Sequence, residues 1–496
     1  MYRPHSLYSD IGDVEILEHK GKLHMFHLVI PNRDLIAHCV SDDGLVWREL
    51  PAALSTGDPG TPDDDMIRTV SVTPCGDRFY MLYASCARRD GGRVERVCTA
   101  VSRDLNTWEK IPEASGIEAG EAFYETQRAP SDMVNWRDPK PYYENGVYYC
   151  VLCARNREGR LLRRGCVALM TSRDMIHWEY QKPLFLPGAY YTVECPQIYR
   201  IGKRYYLIGS IMEDASQRYW VADNLYGPYR VAGGENLLMP PGSHYAGRLA
   251  QFHGRDVFLC WTFAKEDGPS PFGLQVHPDA VIKYIPALLE AETDEEGRLL
   301  FRSAPAWECF AKHEAPVSPE CFDNTVCLNP IARRDENSFV SESGMEMWLS
   351  RKKCRSFRIK CTLKIQGYCG GLAFHATDDG GAYQLEFYPH EQRVRLVSHF
   401  GRRRTDGVAW FDHRVIQTAH YDFASGEVEI LLLAVGGEIE ISLNGRVRMA
   451  TVSTASTEGH WGVLADGACV QIEKLSMAEM LVPNTEEWVN GGSKTC

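Results

Sequence analysis

Three copies of one short pattern, SDDGLVW (41–47), SRDLNTW (102–108) and SRDMIHW (172–178), decide how this chain folds. Each copy opens with Ser and ends on Trp six positions later, and the Trp positions lie 61 and 70 residues apart. Each copy also follows two runs of strand-forming residues. Such a recurring unit of strands indicates a repeat protein.

The repeats predict an all-β fold, a five-bladed β-propeller followed by a C-terminal β-sandwich. Radial four-stranded sheets are one of the few ways to stack such units without long exposed edges. The run LAQFHGRDVFLCWTF supplies strands for a fifth blade, and alternating runs such as FRIKCTLKI and EIEISL are typical of a sandwich. We expect the propeller in 1–302, a linker with the first sandwich segment in 303–336, the sandwich in 337–482 and a tail in 483–496.

The net charge and the cysteine content indicate which binding partners and which cellular compartment to expect. The chain has 496 residues and a net charge of -12, which disfavours nucleic acids and anionic membrane surfaces. It contains no signal-peptide pattern and no run of eighteen apolar residues. Its 17 cysteines are scattered through apolar segments, which indicates reduced thiols. We therefore expect a cytoplasmic protein with no membrane partner, and the sequence leaves its oligomeric state open, a homo-oligomer included.

Acidic residues recur at one offset from the turn that precedes the second strand of each blade. These turns carry Gly21, Gly76, Gly146, Gly202 and Gly254. Counting back eight residues from each glycine gives Asp13, Arg68, Asp138, Glu194 and Ala246. Because the innermost strand of a blade lines the central channel, equal offsets predict side chains that converge on one pocket.

Three carboxylates in one pocket suit acid/base chemistry. In a partly dry site they push one another's proton affinities apart, so that one stays ionised while another keeps its proton. This is the arrangement that cleaves acetals. Arg68 and Arg137 are expected to donate to sugar hydroxyls or to balance the charge. Strand alternation predicts that Cys195, next to Glu194, points away from the channel as a packed thiol.

Two motifs and the blade endings carry a family resemblance. WRDP (136–139) and ECP (194–196), in that order and about 56 residues apart, together with the S-x-D-x-x-x-W endings, resemble glycoside hydrolase family 32, the β-fructofuranosidases. The likeness covers essentially the whole chain. It implies a five-bladed propeller joined to a β-sandwich.

The resemblance also implies roles for individual residues. Asp13 takes the position of the nucleophile, Asp138 that of the transition-state stabiliser and Glu194 that of the general acid/base. Arg137 would hold sugar hydroxyls, and Trp136 of the same motif is expected at the substrate.

Two segments depart from the family's pattern. The usual N-D-P-N-G is here GDVEI (12–16), which keeps only the aspartate. The Trp/Phe-Ser-Gly-type motif of the second blade is here DMIRTVS (65–71), so that Asp65 and Arg68 are expected to contact the substrate. Retaining glycosidase chemistry fits these changes, whereas the identity of the sugar stays open.

The sequence thus predicts a retaining glycosidase that acts on a furanoside, a β-fructofuranoside before others. A small carbohydrate is the expected partner, and neither a cofactor nor a metal is expected. Three alternatives remain: a fructosyl transferase, an inverting enzyme similar to the family 43 arabinofuranosidases, and a carbohydrate-binding protein without catalysis.

Overall fold

The computed structural model describes residues 1–4, 10–128, 133–241, 244–263, 283–403, 409–452 and 455–482. The predicted tail, 483–496, lies outside the described residues. The described residues up to 262 and from 283 to 300 form one compact unit, and Phe263 with the described residues from 301 to 482 forms a second. The fold is almost entirely β, with one four-residue α-helix, α1 (Trp307–Phe310), among the described residues.

The first unit consists of five antiparallel sheets. The first two sheets contain β1 (Asp10–His19), β2 (Lys22–Ile30), β3 (Leu35–Ser41), β4 (Arg48–Ser55), β5 (Met66–Cys75), β6 (Arg78–Cys86), β7 (Glu95–Ser102) and β8 (Glu109–Lys110). The next two contain β9 (Trp136–Glu144), β10 (Val147–Arg155), β11 (Gly165–Ser172), β12 (Glu179–Phe185), β13 (Glu194–Ile201), β14 (Arg204–Ile211) and β15 (Ser216–Ala222). The fifth contains β16 (His244–Phe252), β17 (Arg255–Phe263), β18 (Lys283–Tyr284), β19 (Leu289–Thr293) and β20 (Leu299–Ser303).

The first strands of these sheets contact one another in a closed ring, in the order β1, β5, β9, β13, β16 and back to β1. A ring of five sheets around a channel is a five-bladed propeller, which confirms the predicted fold class of this unit. Closure leaves no open edge at the centre of the fold.

The sequence repeat forms the turn after the third strand of a blade. The hydroxyl of Ser41 accepts a hydrogen bond from the Gly44 amide at 2.8 Å, and Oδ1 of Asp43 accepts from the amides of Leu45 and Val46 at 2.8 and 2.9 Å. Ser102 with Asp104, and Ser172 with Asp174, make the same bonds. Side chains that satisfy turn amides explain why the repeat keeps Ser and Asp at fixed positions.

Each of the five innermost strands carries a β-bulge, in which two residues oppose one on the neighbouring strand. The bulge pairs are Gly12-Asp13, Arg68-Thr69, Asp138-Pro139, Cys195-Pro196 and Ala246-Gly247. Asp138, Cys195 and Ala246 adopt positive φ angles of 58°, 47° and 52°. The propeller is therefore irregular at one level around its channel, where successive side chains no longer alternate.

The second unit is a large antiparallel sheet whose two arms share a long central strand. Its strands are β21 (Ala311–Pro316), β22 (Phe322–Thr325), β23 (Arg333–Asp335), β24 (Ser338–Ser350), β25 (Phe357–Ala376), β26 (Ala382–Tyr388), β27 (Arg393–Arg403), β28 (Ala409–His420), β29 (Glu427–Val435), β30 (Glu438–Leu443), β31 (Arg446–Val452) and β32 (His460–Met480). The first part of β25 pairs with β29 and the second part with β26. Both arms contribute to one apolar core, as the predicted sandwich requires.

No helix among the described residues is long and apolar enough to cross a membrane. Every described cysteine is free.

Two acidic side chains of β30 are buried on the face of the strand that points away from the apolar core. Ile439 and Ile441 enter the core, whereas Glu438 and Glu440 alternate with them and are also buried. Burial, and next the charge of Glu438, raise the pKa of Glu440 to about 8, although the side chains of Ser303 and Trp307 partly oppose the shift. The folded protein therefore holds this carboxyl group protonated at neutral pH.

We expect Glu440→Gln to stabilise the protein increasingly as pH rises. The pKa of Glu440 is higher in the folded state than in the unfolded state. The protonated carboxyl group therefore contributes fully to the free energy of unfolding below pH 4.5, and this contribution is lost as pH rises towards 8. Glutamine has no proton to lose, so its contribution does not change with pH. One pKa unit is about 1.4 kcal/mol, and 1 kcal/mol shifts Tm by roughly 2–4 °C in units of this size. Thermal unfolding at pH 5, 6.5 and 8 should show the gap between variant and wild type widening by about 5 °C or more.

The exposed Glu429→Gln, on the neighbouring strand β29, is the control and should show no widening. Parallel pH dependences for Glu440→Gln and wild type would contradict the assignment.

Candidate active site

The five bulges bring one set of side chains to the same level of the channel. Thr69 donates a hydrogen bond to Oδ2 of Asp13. Asp13, Asp138 and Cys195 each place a polar atom within 4.8 Å of the others. Asp13, Thr69, Asp138 and Cys195 therefore face one another across the channel.

This arrangement corrects the offset used to align the blades. Gly21, Gly146 and Gly254 are the second residues of their two-residue turns, whereas Gly76 and Gly202 are the first. In the second and fourth blades, counting back eight residues from the glycine therefore stops one residue too early, at Arg68 and Glu194. The residues of these blades that correspond to Asp13 and Asp138 are Thr69 and Cys195.

Glu194 nevertheless reaches the site, because the bulge suspends strand alternation. Its Oε1 accepts a hydrogen bond from Nη2 of Arg137, and its Oε2 accepts one from the hydroxyl of Tyr245. Arg137 also lies 3.7 Å from Asp138 through Nε. The structure thus brings together the three predicted acids, with Arg137 between two of them.

Asp138 is the most deeply enclosed of the three acids, with 1% of its surface exposed. Its Oδ2 accepts a hydrogen bond from the Cys195 amide at 2.8 Å, while Oδ1 is buried and has no hydrogen-bond partner among the described residues. Burial raises the pKa of Asp138 to about 6; Arg137 and the Cys195 amide oppose the shift, and the charges of Asp13 and Glu194 add to it. Asp138 therefore titrates close to neutral pH.

Asp13 is held by neutral donors. Besides Thr69, Nε1 of Trp261 donates to its Oδ1 at 3.1 Å. Trp261 also packs against Tyr245, with ring centroids 5.3 Å apart. These donors fix the direction of the carboxylate without adding a positive charge, which suits a nucleophile that must leave the carbon it attacks.

Behind the acids lies a buried carboxylate that the sequence analysis did not identify. Glu95, the first residue of β7, is fully buried and lies 3.2 Å from Nη1 of Arg68 and 3.1 Å from Nη1 of Arg137. Its Oε2 also accepts from the Trp136 amide at 3.2 Å. Asn135 accepts a further bond from Arg137 at 2.6 Å. Glu95 therefore fixes both predicted arginines on the side away from the acids.

Two of the residues predicted to bind substrate have no recorded contact with the three acids. The Trp136 side chain is fully buried and packs on Tyr124 at 5.0 Å between ring centroids, which argues against contact with substrate. Asp65 lies just before β5, where its amide donates to the Cys86 carbonyl at 3.2 Å. Among the described residues, no contact joins Asp65 to the three acids.

The prediction that Cys195 points away from the channel is wrong. Its positive φ turns the side chain towards Asp13 and Asp138, with Sγ within 4.8 Å of their oxygens. Burial, and next the charges of these two acids, raise the pKa of the Cys195 thiol well above its usual range. A neutral thiol is a poor nucleophile, and both Asp13 oxygens are bonded to Thr69 and Trp261 rather than to Cys195.

Sequence reasoning missed Thr69, Glu95, Tyr245 and Trp261. A count from the end of each inner strand, rather than from its turn glycine, would have found Thr69 and placed Tyr245 level with Glu194. No sequence signal marks Glu95 or Trp261, whose roles depend on contacts between blades.

A propeller that gathers three carboxylates and two arginines in one channel has the groups that a glycoside hydrolase uses to cleave an acetal. The model of the glycosyl hydrolases family 32 N-terminal domain matches residues 12–262, just over half of the chain. The chain belongs to glycoside hydrolase family 32 and is a glycosidase. A sequence comparison with curated proteins gives no match.

Solved structures share the fold over nearly the whole chain. Fructan 1-exohydrolase IIa from Cichorium intybus is 16% identical, with a TM-score of 0.67 over 97% of this chain and 96% of its own. The exo-inulinase from Aspergillus awamori is 14% identical, with a TM-score of 0.67 over 97% of each chain. The β-fructofuranosidase of Bombyx mori is 16% identical, with a TM-score of 0.61 over 95% and 93%. The low identities mark a divergent member.

Replacing Glu95 by Gln should weaken both the fold and the reaction. Removing one partner of a buried ion pair costs about 3 kcal/mol or more, because the arginines keep their charge. Arg137 would also lose one of the acceptors that fix its direction. We expect a lower unfolding free energy and a drop in kcat/KM of about 10- to 100-fold, measured by denaturant titration and by hydrolysis assays.

Glu118→Gln removes a partner of Arg96 in an ion pair at 2.8 Å that is half exposed, and serves as the control. Exposed pairs contribute about 0–1 kcal/mol. Equal effects of the two variants would refute a special role for Glu95.

Proposed function

We propose that the protein is a retaining furanosidase whose preferred substrate is a β-fructofuranoside. The observation that carries this proposal is that Asp13 and Asp138 lie at one level of the channel, with Glu194 joined to them through Arg137 from the position one residue ahead. Asp13 is held by neutral donors, and Glu194 is held by Arg137 and Tyr245. A small carbohydrate is the partner that such a site can recognise.

The reaction proceeds in two balanced steps. In the first, a carboxylate oxygen of Asp13 bonds to the anomeric carbon as the bond to the leaving oxygen breaks, and the proton of Glu194 passes to that oxygen. In the second, Glu194 takes a proton from water, the water oxygen bonds to the anomeric carbon, and Asp13 departs as a carboxylate. The buried charge of Asp138 stabilises the positive charge that develops on the sugar ring in both steps.

Arg137 links substrate binding to the position of Glu194. In the free site one of its nitrogens is bonded to Glu194. A sugar hydroxyl that accepts from Arg137 would compete with Glu194 for this donor and weaken the bond. Arg68 is positioned by Glu95 as a second donor.

Names of solved relatives favour fructosides. A point mutant of the Bombyx mori enzyme has been solved in complex with sucrose, and a point mutant of the Cichorium intybus enzyme in complex with 1-kestose. Sucrose and short fructo-oligosaccharides are therefore the first substrates to test.

The decisive experiment is a hydrolysis screen of fructosides and arabinofuranosides, with the anomer of the first product recorded by NMR. We expect fructose release with retained configuration. Inverted configuration would refute double displacement, release of arabinose alone would refute the fructoside, and binding without turnover throughout would refute catalysis. Transfer products at high sucrose concentration would identify a transferase.

Glu194→Gln should lose most activity on sucrose but less on an aryl furanoside. General acid catalysis contributes about 10²- to 10⁴-fold, and an activated phenolate leaves without a proton. Steady-state kinetics on the two substrates measure the difference. Glu125→Gln, which alters another buried carboxylate paired with Arg155 at 3.1 Å, should retain activity on both. Equal losses on both substrates would exclude Glu194 as the acid.

Activity should fall as pH is lowered through about 6. Burial, together with the charges of Asp13 and Glu194, raises the pKa of Asp138 to about 6 despite Arg137, and protonation below that pH removes the charge that stabilises the transition state. The pH profile of kcat/KM, with unfolding followed in parallel, measures the acid limb. An acid limb near pH 4 would contradict this role for Asp138.

A further inference from the structure

Two residues beyond the acids, a second set of charged side chains closes the channel. Glu15, Lys140 and Arg248 come from three different blades and are buried or nearly so. Lys140 is bonded to Oε1 of Glu15, and Nε of Arg248 lies 3.3 Å from Oε2. The Val72 amide donates to the same carboxylate at 3.3 Å. We call Glu15, Lys140 and Arg248 the channel floor.

The two cations of the channel floor differ in what else they contact. Nη1 of Arg248 donates to the Cys195 carbonyl at 2.6 Å, its one hydrogen bond among the described residues. The side-chain hydrogen bond that the structure records for Lys140 is to Glu15. Arg248 therefore connects the channel floor to the bulge that carries Cys195.

Cys195 is the residue through which this connection reaches the acids. Its φ of 47° lies in the left-handed region, which is unfavourable for a residue with a Cβ and needs outside support. Its amide donates to Asp138 Oδ2 at 2.8 Å. If the Cys195 backbone relaxed to a negative φ, the direction of this amide would change and Asp138 would lose its hydrogen bond.

We propose that Arg248 is a positioning residue: by bonding the Cys195 carbonyl it holds the strained bulge in the conformation that lets the Cys195 amide orient Asp138. This inference deepens the proposed function and rests on it only for its activity measurements. The recorded contacts of the Arg248 side chain are with Glu15 and the Cys195 carbonyl, not with the three acids.

Four variants separate this role from general support of the fold. Arg248→Met removes the bond to Cys195 and one ion-pair partner of Glu15, and Lys140→Met removes the other partner only. Cys195→Gly in the Arg248→Met background removes the strain, because glycine accepts a positive φ at no steric cost. Cys195→Ala in the same background removes the thiol but keeps the strain.

We expect Arg248→Met to lower kcat/KM about 10- to 100-fold, as loss of a hydrogen bond that orients a charged group does. Lys140→Met should stay within about threefold of wild type. In the Arg248→Met background, Cys195→Gly should raise kcat/KM at least fivefold, which corresponds roughly to the strain that glycine relieves. Cys195→Ala in the same background should not raise it. Equal losses for the two cation variants, or no rescue by glycine, would overturn the proposal.

The pKa of Asp138, followed by ¹³C NMR of its carboxyl carbon, provides a readout independent of turnover. The charged and titratable groups that face Asp138 are Arg137, Asp13, Glu194 and the thiols of Cys153 and Cys195, and the Cys195 amide bonds its Oδ2. The Cys195 amide lowers the pKa of Asp138, so Arg248→Met should raise this pKa. The double variant with Cys195→Gly should bring the pKa back to the wild-type value, and Lys140→Met should leave the pKa unchanged. A pKa unmoved by Arg248→Met would refute the positioning role.

If Arg248→Met does not fold, Arg248→Lys replaces it in the experiment. Lysine keeps the positive charge beside Glu15 but is too short to reach the Cys195 carbonyl as well. The results expected for Arg248→Met are then expected for Arg248→Lys. If wild type cleaves no furanoside, the proposed function fails, and the NMR titration alone then decides the role of Arg248.

Discussion

Mutual repulsion of three carboxylates in a closed channel is the constraint on which the rest of the site depends. Asp13, Asp138 and Glu194 cannot all stay ionised in a buried place without compensation. The protein supplies one shared cation, Arg137, and a set of neutral donors: Thr69, Trp261, Tyr245 and the Cys195 amide. Because the donors outnumber the cations, the acids are oriented without being fully neutralised.

The β-bulges make this compensation possible. In a regular strand neighbouring side chains face opposite ways, so that Arg137 and Asp138 could not both reach the channel. A bulge turns two consecutive residues towards the same side, and three of the five bulges carry a residue with a positive φ that is not glycine. Strain of this kind persists where surrounding contacts impose it, and it gathers at the level of the acids.

The blades and the acids could be predicted from sequence because both follow local rules. Ser and Asp at fixed positions mark a turn, and the RDP and ECP motifs mark the site. The geometry between blades could not be predicted: Glu95 carries no motif, and Cys195 faces the acids because a bulge overrides alternation. Trp136 shares a motif with Asp138 and yet lies in the core, since position next to a site residue does not determine which way a side chain points.

Fivefold repetition of the backbone does not impose fivefold chemistry. At the level of the bulges the five blades present two acids, a hydroxyl, a thiol and a methyl group, in Asp13, Asp138, Thr69, Cys195 and Ala246. At the level of the channel floor they present one acid and two cations, from Glu15, Lys140 and Arg248. The floor therefore carries one net positive charge beneath a layer with two negative charges. The charges of the floor are paired with one another, because Glu15 contacts both Lys140 and Arg248, and this pairing lets a divergent chain bury them around the same axis as the acids.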